Sequence, residues 1–377
     1  MMKYLLFFFF GNVLFAQTVS TFFSDPTIDV DDSLVFDSNG NLYGSNFGGT
    51  TVYKITPAGV ATPFITGLSN PNGGAFDSNG AFYLAEYSAG TINKYDEFGN
   101  QDATFIVGTP SGLIKDFNSD AMIYTNVANN SVNRLETDGS ITELFQGAPL
   151  NAPVGLAFDE TGNLFVSNFT GNEIYRLGGT PVYIATVPDG GASGGNAAIG
   201  FIAYASGKLY ATNFGGHQIY EVNPLGTDDV ILYAGDDEGD DDGAIGDATF
   251  SYPNGIVFNA SENALYVSEF SGQGNIRKIS DATTLSVSDY NNDIDLSLFP
   301  NPATDHFILK GTSEVPLGQI IITIYDILGK PVEHMTTNII QTQWEVSVPI
   351  SQLPAGMYLI QCASDRQCIY TKSLIKR

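Results

Sequence analysis

Six apolar strands in this chain end in a side chain that offers oxygen: Asn46, Glu86, Asn126, Asn168, Asn213 and Glu269. Hard cations such as calcium and magnesium take ligands of this kind. One divalent ion held by Glu86, Glu269, Asn126, Asn168 and Asn213 would polarise a carbonyl or activate water. The segments Pro71-Asn72-Gly73, Pro110-Ser111-Gly112, Pro153-Val154-Gly155 and Pro253-Asn254-Gly255 are expected on the same face. A structural role competes with this one, because Asn and Glu at a strand end can hydrogen-bond the turn that follows. Recurrence at every copy favours capping. The two glutamates, which break the run of asparagines, are the better functional candidates.

Other chemistry is thinner. Phe47, Tyr87, Phe169, Phe214 and Phe270 follow the oxygen-bearing position. Successive strand residues face opposite sides, which assigns these rings to packing between neighbouring repeats, with a carbohydrate-stacking surface as the alternative. The acidic run from Asp236 to Gly243 begins like a calcium loop, but Thr249 stands where a bidentate Glu belongs. His217 is a lone loop histidine. No cysteine lies before Cys362, so zinc has no ligand set in the large domain. No G-x-S-x-G elbow is present.

The elements that position these residues are read from a second marker. Tyr43, Tyr83, Tyr124, Phe165, Tyr210 and Tyr266 recur at intervals of about 40 residues, with wider gaps before the last two. A fixed period of that size denotes one supersecondary unit that buries its face only by stacking on copies of itself. Within each unit, Asp/Asn and Gly between alternating apolar runs form tight hairpins, as in Phe36-Asp37-Ser38-Asn39-Gly40 and Phe76-Asp77-Ser78-Asn79-Gly80. Four short strands per unit is a β-propeller blade. The third strand carries a basic residue, such as Lys54, Lys94, Arg134, Arg176 or Arg277, read as a solvated outer position. The expected fold is all-β: a six-bladed propeller, then a small C-terminal Ig-like β-sandwich. Val19 to Phe23 resembles a fourth strand without a blade, while the sixth repeat lacks one, so the N-terminal strand is expected to close the ring.

The chain from Gln17 to Leu285 resembles NHL-repeat and SMP-30/gluconolactonase-like propellers. The resemblance rests most on Ala234-Gly235, Asp241-Asp242-Gly243-Ala244, Asp247-Ala248-Thr249-Phe250 and Tyr252-Pro253-Asn254-Gly255-Ile256. WD40 repeats share the period but want a Trp in most blades, and the only tryptophan, Trp344, lies beyond the repeats. The lactonase resemblance implies a divalent metal on the propeller face, with an acidic ligand on the first inner strand, for which Asp31 or Asp32 would serve. Lyase relatives with an active-site His have one possible counterpart, His217.

Residues 1–16 read as a signal peptide: a short positive start, then an apolar run ending at Ala16. The propeller is placed at 17–285, a polar linker at 286–295 and a small β domain at 296–377. Leu298-Phe299-Pro300-Asn301-Pro302, Ile322 to Val332, Leu353 to Ile360 and Thr371 to Arg377 resemble, in order, the type IX secretion C-terminal sorting domain. That resemblance implies export through the periplasm, release or attachment at the outer-membrane surface, and the type IX machinery as a partner. Cys362 and Cys368 flank a hairpin and are open to one bridge in an oxidising compartment. A net charge of −26 argues against nucleic acid, whose binding needs Lys and Arg on phosphates. No apolar run reaches the ~20 residues of a spanning helix. The expected function is a propeller that binds a glycan, protein or small molecule, with a metal-dependent lactonase-like hydrolase as the alternative.

Overall fold

The structure, a computed structural model, describes residues 17–189, 198–270, 273–282, 294–313, 318–326, 331–364 and 367–377. The expected signal peptide lies outside these residues, as does the linker up to residue 293. Residues 294 and 295 belong to the first strand of the tail, Ile294–Phe299. The chain divides into two compact units, Met1–Thr284 and Leu285–Arg377.

The first unit is a ring of six antiparallel sheets. In the first five the strands follow chain order, from Leu34–Phe36 out to Ala61–Thr66 in blade 1 and from Ile199–Ala205 out to Val230–Ala234 in blade 5. The turns form as their residues dictate. Asp77 Oδ1 accepts from the backbone N–H of Asn79 and Ala81, each at 2.9 Å, while Gly80 adopts φ +85°. Asp37 and Asp159 build the same turn in blades 1 and 4. That positive φ is open to glycine at little cost.

Each blade buries its face on the next. Tyr43 meets Phe64 and Phe76 edge-on at 5.0 and 4.9 Å and stacks on Phe82 of blade 2 at 5.8 Å. The third-strand cations are more engaged than a solvated position implies. Lys94 lies 3.6 Å from Asp77 and over the Tyr83 ring, and Lys54 repeats this with Asp37 and Tyr43. Arg277 departs furthest, being fully buried. Its guanidinium donates to Asp242 Oδ1 (2.8 Å), Thr249 O (2.8 Å), Asp241 O (3.0 Å) and Glu269 Oε1 (3.3 Å). A buried guanidinium requires such partners.

The ring closes as expected. Thr18–Phe23 pairs antiparallel with Ile276–Ser280 in blade 6, Val19 opposite Ile279 and Thr21 opposite Arg277. Gly243–Ala244 then adds a fifth strand outside it. The acidic segment before that strand is packed on the blade: Arg277 binds its Asp242, and Thr21 donates to the same carboxylate at 3.0 Å.

The second unit is a β-sandwich of a three-stranded sheet (Ile294–Phe299, His306–Ser313, Gln343–Pro349) and a four-stranded one (Pro331–Ile339, Gly318–Tyr325, Gly356–Ser364, Gln367–Lys376). Phe307, Leu309, Ile320, Ile322, Trp344, Ile360 and Leu374 fill its core. Cys362 is buried there, while the side chain of Cys368 lies outside the described residues. Among the described residues no helix is long and apolar enough to cross a membrane.

Candidate functional site

The inner strands converge on the propeller axis, and a residue at or just before their start lies at the floor of a cavity at one end of the channel in five of the six blades. That position is held by Asp32, Asn72, Ser111, Val154, Gly200 and Asn254 in blades 1 to 6, aligned by the pairing of each inner strand with the next. The following residue is glycine in blades 2, 3, 4 and 6. A Cβ at Gly112 would stand 1.8 Å from Val154 O, and one at Gly255 2.0 Å from Asp32 O. Glycine is thus required where the strands crowd the axis. Blade 1 has Ser33 there and blade 5 has Phe201. Phe201 lines both this cavity and a second one in the channel.

A ring of hydroxyls fixes this floor. The penultimate residue of the second strand donates to the floor residue's carbonyl in the next blade. Ser45 reaches Asn72 O at 2.9 Å, Thr125 Val154 O at 3.4 Å, Ser167 Gly200 O at 3.1 Å, Thr212 Asn254 O at 2.7 Å and Ser268 Asp32 O at 2.6 Å. Ser167, Thr125 and Ser268 also accept from the glycine N–H of their own blade, at 2.8 to 2.9 Å. Only blade 2 lacks the hydroxyl, with Ala85 at that place. The sequence signal of the hydroxyl ring is Ser or Thr directly before the oxygen-bearing marker in five of six repeats.

The markers do not line the cavity. Five of them bond neighbouring loops, while Asn46 Oδ1 is buried without a hydrogen-bond partner. Asn126 donates to Val107 O (2.9 Å), Asn168 to Pro149 O (2.9 Å) and Asn213 to Pro188 O (2.6 Å). Glu86 accepts from Ser69 N (2.8 Å) and from the Asn93 amide. Glu269 accepts from Ser251 N (2.9 Å) beside Arg277. Burial pushes the Glu269 carboxyl up to about 7, against the pull of Ser251 N–H and Arg277. Among the described residues no three His, Cys, Asp or Glu side chains are grouped to hold a metal. His217 also lies outside the cavity lining. Its Nδ1 accepts from Tyr252 N at 3.2 Å and its ring packs on Tyr252.

The aromatic residues occupy the walls. Phe47, Tyr87, Phe169, Phe214 and Phe270, with Val127 in blade 3, surround a cavity of about 290 Å³. They touch across blades as expected, Phe47 to Tyr87 at 5.5 Å and Phe214 to Phe270 at 5.5 Å. They also keep open faces, with Phe169 41% and Phe270 36% exposed. The reading as interblade packing was therefore incomplete. The exposed faces follow from their place just past the strand end, where the pleat no longer dictates direction.

At the floor the polarity is concentrated on one side. Asn254 Nδ2 donates to Asp32 Oδ1 and to Asp31 O, each at 3.1 Å. Asn72 Oδ1 is buried without a hydrogen-bond partner. Burial raises Asp32 well above the carboxylate range, reinforced by Asp31 and opposed by Asn254 and the Ser33 N–H. Asp31 accepts from Phe47 N at 2.7 Å, which seats the first wall ring. Its carboxyl is pushed up to about 7 by burial and by nearby Asp29, against the Phe47 and Gly48 N–H groups. The cavity thus pairs apolar walls with a few convergent polar groups, the usual composition of a small-molecule site.

Residues 297–377 match the secretion system C-terminal sorting domain family. That tail directs export by the type IX secretion system to the cell surface or beyond it. No curated protein is significantly similar to the chain in sequence. Among solved structures, the chain is similar to an auxiliary nutrient binding protein from Bacteroides thetaiotaomicron, at TM-score 0.59 and 16% identity over 70% of this chain and 76% of that one. A gluconolactonase from Xanthomonas campestris follows at TM-score 0.55 and 16% identity, over 70% and 89% of the two chains. A virginiamycin B lyase from Staphylococcus aureus matches at TM-score 0.50 and 20% identity, over 66% and 79%. At these identities the likeness establishes the propeller fold.

Proposed function

We propose that the propeller is a binding module that captures a small, ring-bearing ligand in the aromatic cup at one end of its channel, on a protein exported to the cell surface. The observation that carries this reading is the cup itself: five aromatic side chains lining a cavity together with Asp32, Asn72, Ser111 and Asn254. Aromatic walls bind flat apolar faces, and a few fixed polar groups orient the ligand. The fold-level likeness to an auxiliary nutrient binding protein agrees with such a role. The hydrolase alternative draws no support from Glu86 and Glu269, whose carboxylates serve loops away from the cup.

A thermal-shift screen of small ring-bearing compounds, sugars included, tests the proposal on the full chain. Stabilising compounds are expected, and Phe169→Ala combined with Phe270→Ala should abolish their effect. Stabilisation that survives both substitutions would overturn it.

A further inference from the structure

The ligand's charge follows from what the cup offers. Of the thirteen side chains lining it, none is cationic, and Asp32 is the one carboxylate. Asp32 is 3% exposed and Asn72 6%. Asn72 Oδ1 is an acceptor with no donor, in a residue that lines the cavity. Leaving such an atom unmatched is costly, so a ligand that supplies an N–H there gains. Around it Phe47, Tyr87, Phe214 and Phe270 line the cavity, and aromatic rings attract cations. The protein's net charge of −26 draws cations towards it as well.

We infer that the cup selects an organic ammonium ligand, whose charged head sits on Asp32 and Asn72 and whose apolar body lies between the aromatic walls. This rests on the cup being the binding site, as proposed above. A bare hard cation fits less well, since calcium takes six to eight oxygens and this floor is overhung by rings. The volume of about 290 Å³ suits a body of one ring with a short arm.

Asp31 lies beside Asp32 in the chain, and the residues that line the floor with Asp32, namely Asn72, Ser111 and Asn254, carry no charge.

The test is calorimetry on the full chain with 2-phenylethylammonium and its neutral counterpart 2-phenylethanol. One amine per chain is expected, at least tenfold tighter than the alcohol. Asp32→Asn keeps an acceptor for Asn254 and should remove the amine's advantage over the alcohol. Asn72→Leu provides a second variant with the same expected loss of preference. Equal affinity for amine and alcohol would overturn the inference yet leave the cup as the site. Displacement of the amine by equimolar calcium would also overturn it, by making the floor a metal site. Absence of binding by both compounds would overturn it, and the ring-compound screen then decides the cup separately.

Discussion

Asp31 shows how a single side chain at the rim of the floor governs both geometry and stability. Its carboxyl seats Phe47 through a 2.7 Å hydrogen bond, yet burial pushes it up to about 7. An acid whose folded pKa lies above its unfolded value is bound more tightly to its proton in the native state. Its contribution to stability is then complete at low pH and is lost as pH rises through about 4 to 7. Asp31→Asn mimics the protonated form and keeps an acceptor for Phe47. The variant should match the wild type near pH 4 and exceed it above pH 7 by up to about 4 kcal/mol. Urea unfolding at the two pH values checks this, and equal stability above pH 7 would contradict it. At this scale the sequence was only partly legible. Asp31 and Asp32 were suspected through resemblance alone, because nothing local distinguishes a buried aspartate from a turn aspartate. Of the conspicuous oxygen-bearing markers, Asn126, Asn168 and Asn213 donate to loop carbonyls.

Among elements, the hydroxyl ring joins each second strand to the inner strand of the following blade. Ser167 illustrates it, donating to Gly200 O and accepting from Gly155 N within a fully buried environment. Replacing it by Ala strands two buried backbone groups, at a cost of about 1–3 kcal/mol. The expected result is a lower urea midpoint for the propeller by far-UV circular dichroism. Tryptophan fluorescence should not move, because Trp344 is in the tail sandwich. An unshifted dichroism midpoint would show that the hydroxyl contributes nothing net. The blades themselves were legible, since turn chemistry and alternating apolar residues are local properties. The closing strand was legible too, as a strand without a blade facing a blade without a strand. The burial of Arg277 was not, because its partners Asp242 and Thr249 lie about 30 residues away and meet it only once the ring closes.

The whole molecule combines a repeat built to present one central cup with a tail built for passage. The acidic surface keeps the exported propeller soluble, and the sorting domain at 297–377 is the part that addresses it. The sequence showed this division through a change in pattern near residue 285. It did not show the cup, which is assembled from at least two residues on each of six blades. No window of sequence shorter than the ring contains it. The most direct measurement is a crystallographic soak of the full chain with small ring-bearing amines and alcohols. The account predicts density between Phe169 and Phe270, with amine nitrogens against Asp32 and Asn72. An empty cup, with compounds gathered at another surface of the propeller, would contradict it.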